Sequence, residues 1–264
     1  MLISHDPLQQ LEAVAALQRR LLPRQIPQPS GWHFAVHYTG GPRPGGDYYD
    51  FLPLPDGRVL LLVADASDEG GPSAVLVAIV RVLLHACPLS SGAEGLPFCP
   101  LRGEVMQPPH LILSHINRVL AENSLDGQSM TAFCGLLSPS EGTLHYANAG
   151  HPPPRLWRAA TRTVESLHDV CGLPLAMDPH TFYHHKRICL EPGDVLVLYS
   201  DGLTACQDRH GASFGTGRLD QLIRRLAPCG AEKLKAGLLA NLEVFLGTER
   251  GQDDLTLVIV ERQA

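Results

Sequence analysis

The chain has 264 residues, of which 44% are hydrophobic and 18% charged, and its formal net charge is -6. That is enough apolar material to fill the core of a large domain, and it rules against wholesale disorder. The mild acidity and the lack of a Lys/Arg tract argue against nucleic acid and anionic membrane as partners.

Asp6-Pro7 followed by Gln9 predicts a helix start, with Asp6 as the cap, Pro7 at the first helical position and Gln9 closing a capping box. Leu8, Leu11, Val14, Ala15, Leu21 and Leu22 then fall near one face, and the Pro-rich stretch from Pro23 to Gly31 ends the helix. Two readings of this helix stand side by side. It caps the domain, or it is a linker or dimer helix that carries a regulatory signal.

From Trp32 the chain reads as strands. His33–Tyr38 alternates, and the runs 47–54 and 58–65 flank the turn signal Pro55-Asp56-Gly57. Residues 72–85 read as a helix, 88–109 as a Pro/Gly/Ser-rich loop and 110–122 as a second helix. Strands are expected at 131–137, 143–149, 155–157, 163–167, 182–190 and 194–199, helices at 217–227 and 231–246, and a last strand at 255–260. Strands, two helices, strands, two helices and a final strand fit an α+β fold rather than a βαβ repeat.

The seven cysteines are scattered and include no C-x-x-C pair, which argues against a zinc site or a disulfide framework. No apolar run approaches the ~18 residues of a membrane span, and the N-terminus lacks the pattern of a signal peptide. A cytoplasmic location is expected, with control supplied by a separate chain because the short N-terminus leaves little room for a sensor.

The acidic residues carry the chemistry. Asp47 lies nine residues before Asp56 and Asp65 nine after. In an unbulged hairpin centred on Asp56 they are cross-strand neighbours with Cβ atoms ~5 Å apart, which destabilises the hairpin unless a cation lies between them. A bulge, or one Asp facing water, would keep them apart. Asp201 ends an apolar strand, and Asp253-Asp254 opens the last one. If those strands are adjacent and antiparallel, two carboxylate pairs converge at one sheet edge, an oxygen-rich site suited to Mg²⁺ or Mn²⁺ rather than Zn²⁺. Two such ions ~3.5–4 Å apart suit in-line displacement at phosphorus.

In order along the chain, several segments resemble the type 2C (metal-dependent) serine/threonine protein phosphatases, and more closely their bacterial SpoIIE/RsbU branch. They are Leu17-Gln18-Arg19-Arg20-Leu21-Leu22-Pro23, Gly45-Gly46-Asp47-Tyr48-Tyr49-Asp50-Phe51, Ala64-Asp65-Ala66-Ser67, His115-Ile116-Asn117-Arg118-Val119-Leu120, Thr131-Ala132-Phe133, Tyr146-Ala147-Asn148-Ala149-Gly150-His151-Pro152, Gly172-Leu173-Pro174-Leu175, Glu191-Pro192-Gly193-Asp194, Tyr199-Ser200-Asp201-Gly202-Leu203-Thr204 and Gln252-Asp253-Asp254-Leu255-Thr256. The resemblance implies a central antiparallel β-sandwich flanked by helix pairs over 31–264, preceded by a helix and Pro-rich linker over 1–30. It also implies two divalent ions, Mn²⁺ or Mg²⁺. Asp65 would bridge them, the carbonyl of Ala66 would help to hold one, and Asp47, Asp201 and Asp253 would complete the site with Asp254 beside them. No side chain would act as nucleophile, the attack falling to metal-activated water. The implied substrate is a small regulatory phosphoprotein such as an anti-sigma-factor antagonist, and the N-terminal helix is a candidate homodimer contact.

The chain departs from the branch at Asp68-Glu69, where Gly and His or Lys are usual, and at Ala205, where Glu is usual. Those departures motivate a rival reading, a catalytically weak phosphatase-like module that binds a signalling partner. A metal-dependent nuclease is a weaker third reading, because no basic stripe is present to hold a polyanion. His151 reads either as a general acid or as a residue that fixes a turn. His184-His185 reads as solvated strand, Ser200 lacks the G-x-S-x-G elbow of a serine hydrolase, and Gly211–Gly217 reads as a loop with Phe214 packed inward.

Overall fold

Residues 59–66 are apolar at every position but Asp65, because both faces of the strand they form are covered. Their odd members Leu61 and Val63 pack with Phe34, Phe133, Leu198 and Val258, while Leu60, Leu62 and Ala64 pack with Leu76, Val80, Leu113 and Ile116. A single strand thus touches a second sheet on one side and a helix layer on the other. The computed structural model describes residues 7–41, 43–67, 70–85, 101–102, 105–106, 108–124, 127–247 and 253–264.

In chain order the elements are α1 (Pro7–Arg19), β1 (Trp32–Thr39), β2 (Asp47–Pro53), β3 (Val59–Ala66), α2 (Gly71–His85), β4 (Leu101–Arg102), β5 (Val105–Met106), α3 (Pro109–Asn123), β6 (Met130–Ser138), β7 (Thr143–Ala149), β8 (Arg155–Arg158), β9 (Thr163–Ser166), β10 (Lys186–Cys189), β11 (Val195–Tyr199), α4 (Asp201–Thr204), α5 (Gly215–Leu226), α6 (Ala231–Leu246) and β12 (Leu255–Arg262). One sheet has the order β1-β12-β11-β8-β9 and the other β10-β7-β6-β3-β2, and every pairing between these strands is antiparallel. The two inner faces form the central core, α2 and α3 cover the second sheet, and α5 and α6 cover the first. This is the α+β sandwich flanked by helix pairs that the resemblance implied. Each fully buried Leu, Ile or Phe of these layers contributes roughly 1.5–3 kcal/mol.

Three element expectations are corrected. The strand expected over 182–190 shrinks to Lys186–Cys189, which pairs only with β7. Ahead of it Tyr183 turns into the helix side of the sheet, 1% exposed, and its hydroxyl donates to the Leu173 carbonyl at 3.1 Å. His184 and His185 are therefore exposed, as expected, but lie outside any strand. Within the expected loop 88–109 the structure has the short hairpin β4-β5. Helix α5 begins at Gly215 rather than 217. The expected cap Asp6 and the pair Asp68-Glu69 lie outside the described residues.

Phe214 is buried as expected, at 2% exposure. Helix α1 packs on α2, and Leu21, Leu22 and Ile26 of the following segment join the two cores. No helix among the described residues is long and apolar enough to cross a membrane.

Candidate metal centre

The hairpin turn sets the register. Leu54 N–H donates to Arg58 O and Gly57 N–H to Leu54 O, with Gly57 at φ 83°, a left-handed conformation that costs glycine little. The pairing then runs without a bulge from Pro53↔Val59 to Asp47↔Asp65. The two aspartates are direct cross-strand neighbours, and the bulged alternative is excluded. They share the inward face with Tyr49, Phe51, Leu61 and Val63, so both carboxylates open on the rim between the two sheets.

The other sheet supplies the facing residues. Strand β11 pairs antiparallel with β12, with Tyr199 opposite Leu257, so Asp201 after β11 and Asp253-Asp254 before β12 reach the same rim. Asp201 opens α4 and is exposed, as is Asp253, whereas Asp254 is 6% exposed and Asp47 2% exposed. The two members of the Asp253-Asp254 pair thus differ. Asp254 accepts N–H bonds from Gly41 (3.0 Å) and Asp47 (3.4 Å), and Asp253 accepts one from Asp254 (2.8 Å).

Burial pushes the Asp65 carboxyl up to about 9, with Asp47, Asp201 and Asp253 adding repulsion. Asp47 is raised chiefly by burial, opposed by the hydrogen bond from the Ser200 hydroxyl. Among the described residues no Lys, Arg or His forms an ion pair with Asp47 or Asp65. The side chains are not closed on a single point in ligand geometry, since no three His, Cys, Asp or Glu among the described residues are so arranged. Several carboxylate oxygens are instead drawn into hydrogen bonds, those of Asp47, Asp253 and Asp254 among them. A cluster of facing carboxylates is an all-oxygen donor set that hard divalent ions fit, and the burial of like charge disfavours it otherwise.

The close approach of the two sheets needs glycine. A Cβ on Gly45 would fall inside the Asp254 carboxylate, and one on Gly46 would stand 2.5 Å from both Asp65 Oδ1 and the Ala66 carbonyl oxygen. The same distance puts the Ala66 carbonyl beside the Asp65 carboxylate. Gln18 of α1 holds this loop from outside, donating through Nε2 to Gly45 O (2.7 Å) and accepting from Gly45 N–H (3.1 Å).

Reading by residue type missed two participants. Ser200 matters as a clasp rather than as a nucleophile, since its Oγ donates to Asp47 Oδ2 at 2.7 Å and accepts from Thr256 N–H at 3.0 Å. Gln18 has no sequence signal beyond its place in the lead-in helix. His151 is buried at 1% exposure, with Nδ1 2.9 Å from Thr131 Oγ1, and its backbone N–H donates to Asn148 Oδ1 at 2.7 Å. Burial lowers its pKa to about 3. A ring held neutral and shut off from solvent fits the turn-fixing reading, not the general acid.

Comparison with known proteins places this geometry. The family described as Stage II sporulation protein E (SpoIIE) matches residues 55–263. The chain belongs to the SpoIIE family. The match covers β3 through β12, and with them four of the five aspartates of the rim. Phosphoserine phosphatase RsbU of Bacillus subtilis (strain 168) is 24% identical over 261 residues, 99% of this chain and 72% of RsbU. Protein IcfG of Synechocystis is 22% identical over 96% of this chain, which spans 41% of IcfG. Among solved structures, the SiaA-PP2C domain of Pseudomonas aeruginosa superimposes with a TM-score of 0.77 at 21% identity, covering 96% of this chain and 95% of that domain. The phosphatase domain of SpoIIE from Bacillus subtilis with a fragment of its regulatory domain gives 0.63 at 15% identity, covering 87% and 63%. The fold is that of the type 2C phosphatases.

Proposed function

We propose that this SpoIIE-family chain is a divalent-metal-dependent serine/threonine phosphoprotein phosphatase. The observation that carries the reading is the unbulged Asp47↔Asp65 register, which puts two carboxylates face to face at the rim where Asp201 and Asp253 arrive from the other sheet. Asp47, Asp65, Asp201, Asp253 and the Ala66 carbonyl would hold two Mn²⁺ or Mg²⁺ ions, and Asp254, with its two backbone donors, would fix the loop that carries Asp47. Related structures support this choice of ion: RsbX is solved with magnesium and the catalytic domain of PstP with two manganese ions. Bound ions would activate water and neutralise the phosphoryl oxygens of the ester. The protein's part is to hold the carboxylates at the rim, to favour the ionised form of Asp47 through the Ser200 hydroxyl against the burial that opposes it, and to leave one side open to a phosphorylated side chain.

The substrate in this reading is a phosphoserine or phosphothreonine on a small regulatory protein, such as an anti-sigma-factor antagonist, in keeping with the likeness to RsbU. In this reading the chain divides into an N-terminal helix and Pro-rich linker, 1–30, and a catalytic domain, 31–264. The exposed apolar side chains Leu17 of α1 and Val75 and Val82 of α2 offer a face for a homodimer. The site of action is the cytoplasm.

Hydrolysis of para-nitrophenyl phosphate by the purified chain with Mn²⁺, Mg²⁺ or EDTA tests the reading. Turnover that needs metal and is lost in Asp65→Ala supports it. Absence of turnover together with absence of metal binding by calorimetry would favour a partner-binding module instead.

A further inference from the structure

Alternation along β2 sends Asp47 and Asp50 to opposite faces. Asp47 opens on the rim of the sandwich, while Asp50 follows Tyr48 to the helix-covered side. There a cavity of about 380 Å³ lies between the end of α1, β2 and the end of α2, lined by Arg20, Arg24, Asp50, Phe51, Arg81 and His85. That volume falls in the range of small-molecule sites.

Asp50 is 3% exposed and fully engaged. Its Oδ2 accepts from the Tyr48 hydroxyl (2.5 Å) and Arg81 Nη1 (3.3 Å) and lies 2.5 Å from His85 Nε2, while its Oδ1 accepts from Phe51 N–H at 2.8 Å. A carboxylate offers about four acceptor positions, and Asp50 already has four partners, none of them Arg20 or Arg24. Among the described residues neither Arg20 nor Arg24 is in an ion pair. Three guanidiniums less one carboxylate leave two positive charges on the lining, before His85 is counted.

We propose that this cavity is a second binding site, separate from the aspartate cluster, for a small polyvalent anion of the phosphate class. Asp50 fixes Arg81 and His85 in place, and Arg20 and Arg24 line the same cavity from the segment that follows α1. Guanidinium forks match phosphate oxygens in geometry as well as charge. A dianion would balance the excess charge of the lining.

Calorimetric titration of the full chain in EDTA at fixed ionic strength tests this, with inorganic phosphate in one arm and ATP in the other. Without metal the aspartate cluster repels both probes. Saturable binding is expected, weakened about ten-fold or more when Arg20→Ala and Arg24→Ala are combined, the scale of losing charge-assisted hydrogen bonds. Both arginines are exposed, so the variant keeps its fold, which its melting temperature verifies. Asp65→Ala is expected to bind as the parent does. Preference for ATP would make the ligand a nucleotide, and binding of phosphate alone would make it the free ion. No saturable binding of either probe, or equal binding by the double variant, would overturn the proposal. Markedly tighter binding in Asp65→Ala would overturn it as well, by placing the anion at the rim whose repulsion that substitution relieves.

Discussion

Ser200 Oγ donates to Asp47 Oδ2 across the gap between the two sheets, and the same oxygen accepts the N–H of Thr256. Ser200 is fully buried, so this one hydroxyl fixes the spacing of the rim and supplies a donor to the most deeply buried aspartate of the rim. Replacing it with alanine leaves Asp47 short of a donor. The cost expected for Ser200→Ala is about 1–3 kcal/mol of stability, read as a lowered denaturant midpoint. A weaker demand for ordered carboxylates would leave the Mn²⁺ concentration for half-maximal turnover unchanged, whereas the clasp requires it to rise about 10-fold or more.

Removing one of the facing charges separates catalysis from stability. Asp65→Asn is expected to abolish metal-dependent turnover of para-nitrophenyl phosphate. In EDTA the same variant should melt at a higher temperature than the parent, because burial and three neighbouring carboxylates oppose ionisation of Asp65. Thermal unfolding with and without Mn²⁺ measures both effects: the ion should raise the melting temperature of the parent far more than that of the variant.

The glycines of the chain divide by what surrounds them. A Cβ on Gly45 collides with the Asp254 carboxylate, while one on Gly217, inside α5, meets nothing within 4 Å. Gly45→Ala should therefore lower both stability and activity, displacing Asp254 from its backbone donors. Gly217→Ala should leave activity intact and stabilise the protein by about 0.4–1 kcal/mol through the smaller entropy of the unfolded chain and higher helix propensity. Chemical denaturation of the two variants side by side tests the contrast.

His151 gives the protein an acid-sensitive core. Its pKa falls from 6.5 to about 3 through burial, so below the unfolded value the unfolded chain binds the proton that the folded chain refuses. Its contribution to stability is present in full above pH 6.5 and is lost as pH falls toward 3, with a slope of up to about 1.4 kcal/mol per pH unit. Denaturation midpoints of the parent and of His151→Asn between pH 4 and 8 should diverge in slope below pH 6.5, the variant being flatter.

The sequence by itself determined the order of strands and helices and the hairpin that carries the first two aspartates. The turn Pro55-Asp56-Gly57 and the equal spacing of Asp47 and Asp65 about Asp56 made their facing legible, because hairpin pairing is a local property of the turn, and the structure excluded the bulge that the sequence left open. The apolar runs at 195–199 and 255–260 likewise marked two buried strands, and the aspartates beside them were legible as strand-end residues. Sequence patterns overreached at 182–190, where the burial of Tyr183 against the helix layer outweighed β-propensity.

Only the tertiary structure decided which aspartate of the Asp253-Asp254 pair is buried and which is exposed, since neighbours in sequence differ only in the loop that packs against them. It also decided that Ser200 is a clasp, that Gln18 grips the Gly45 loop, and that Asp50 holds Arg81 and His85 beside a cavity that Arg20 and Arg24 also line. Those relationships join residues 27 to 153 positions apart. Spacing along a chain encodes neighbours within a hairpin or a helix turn, but contacts between layers arise only when the sheets close on their common core.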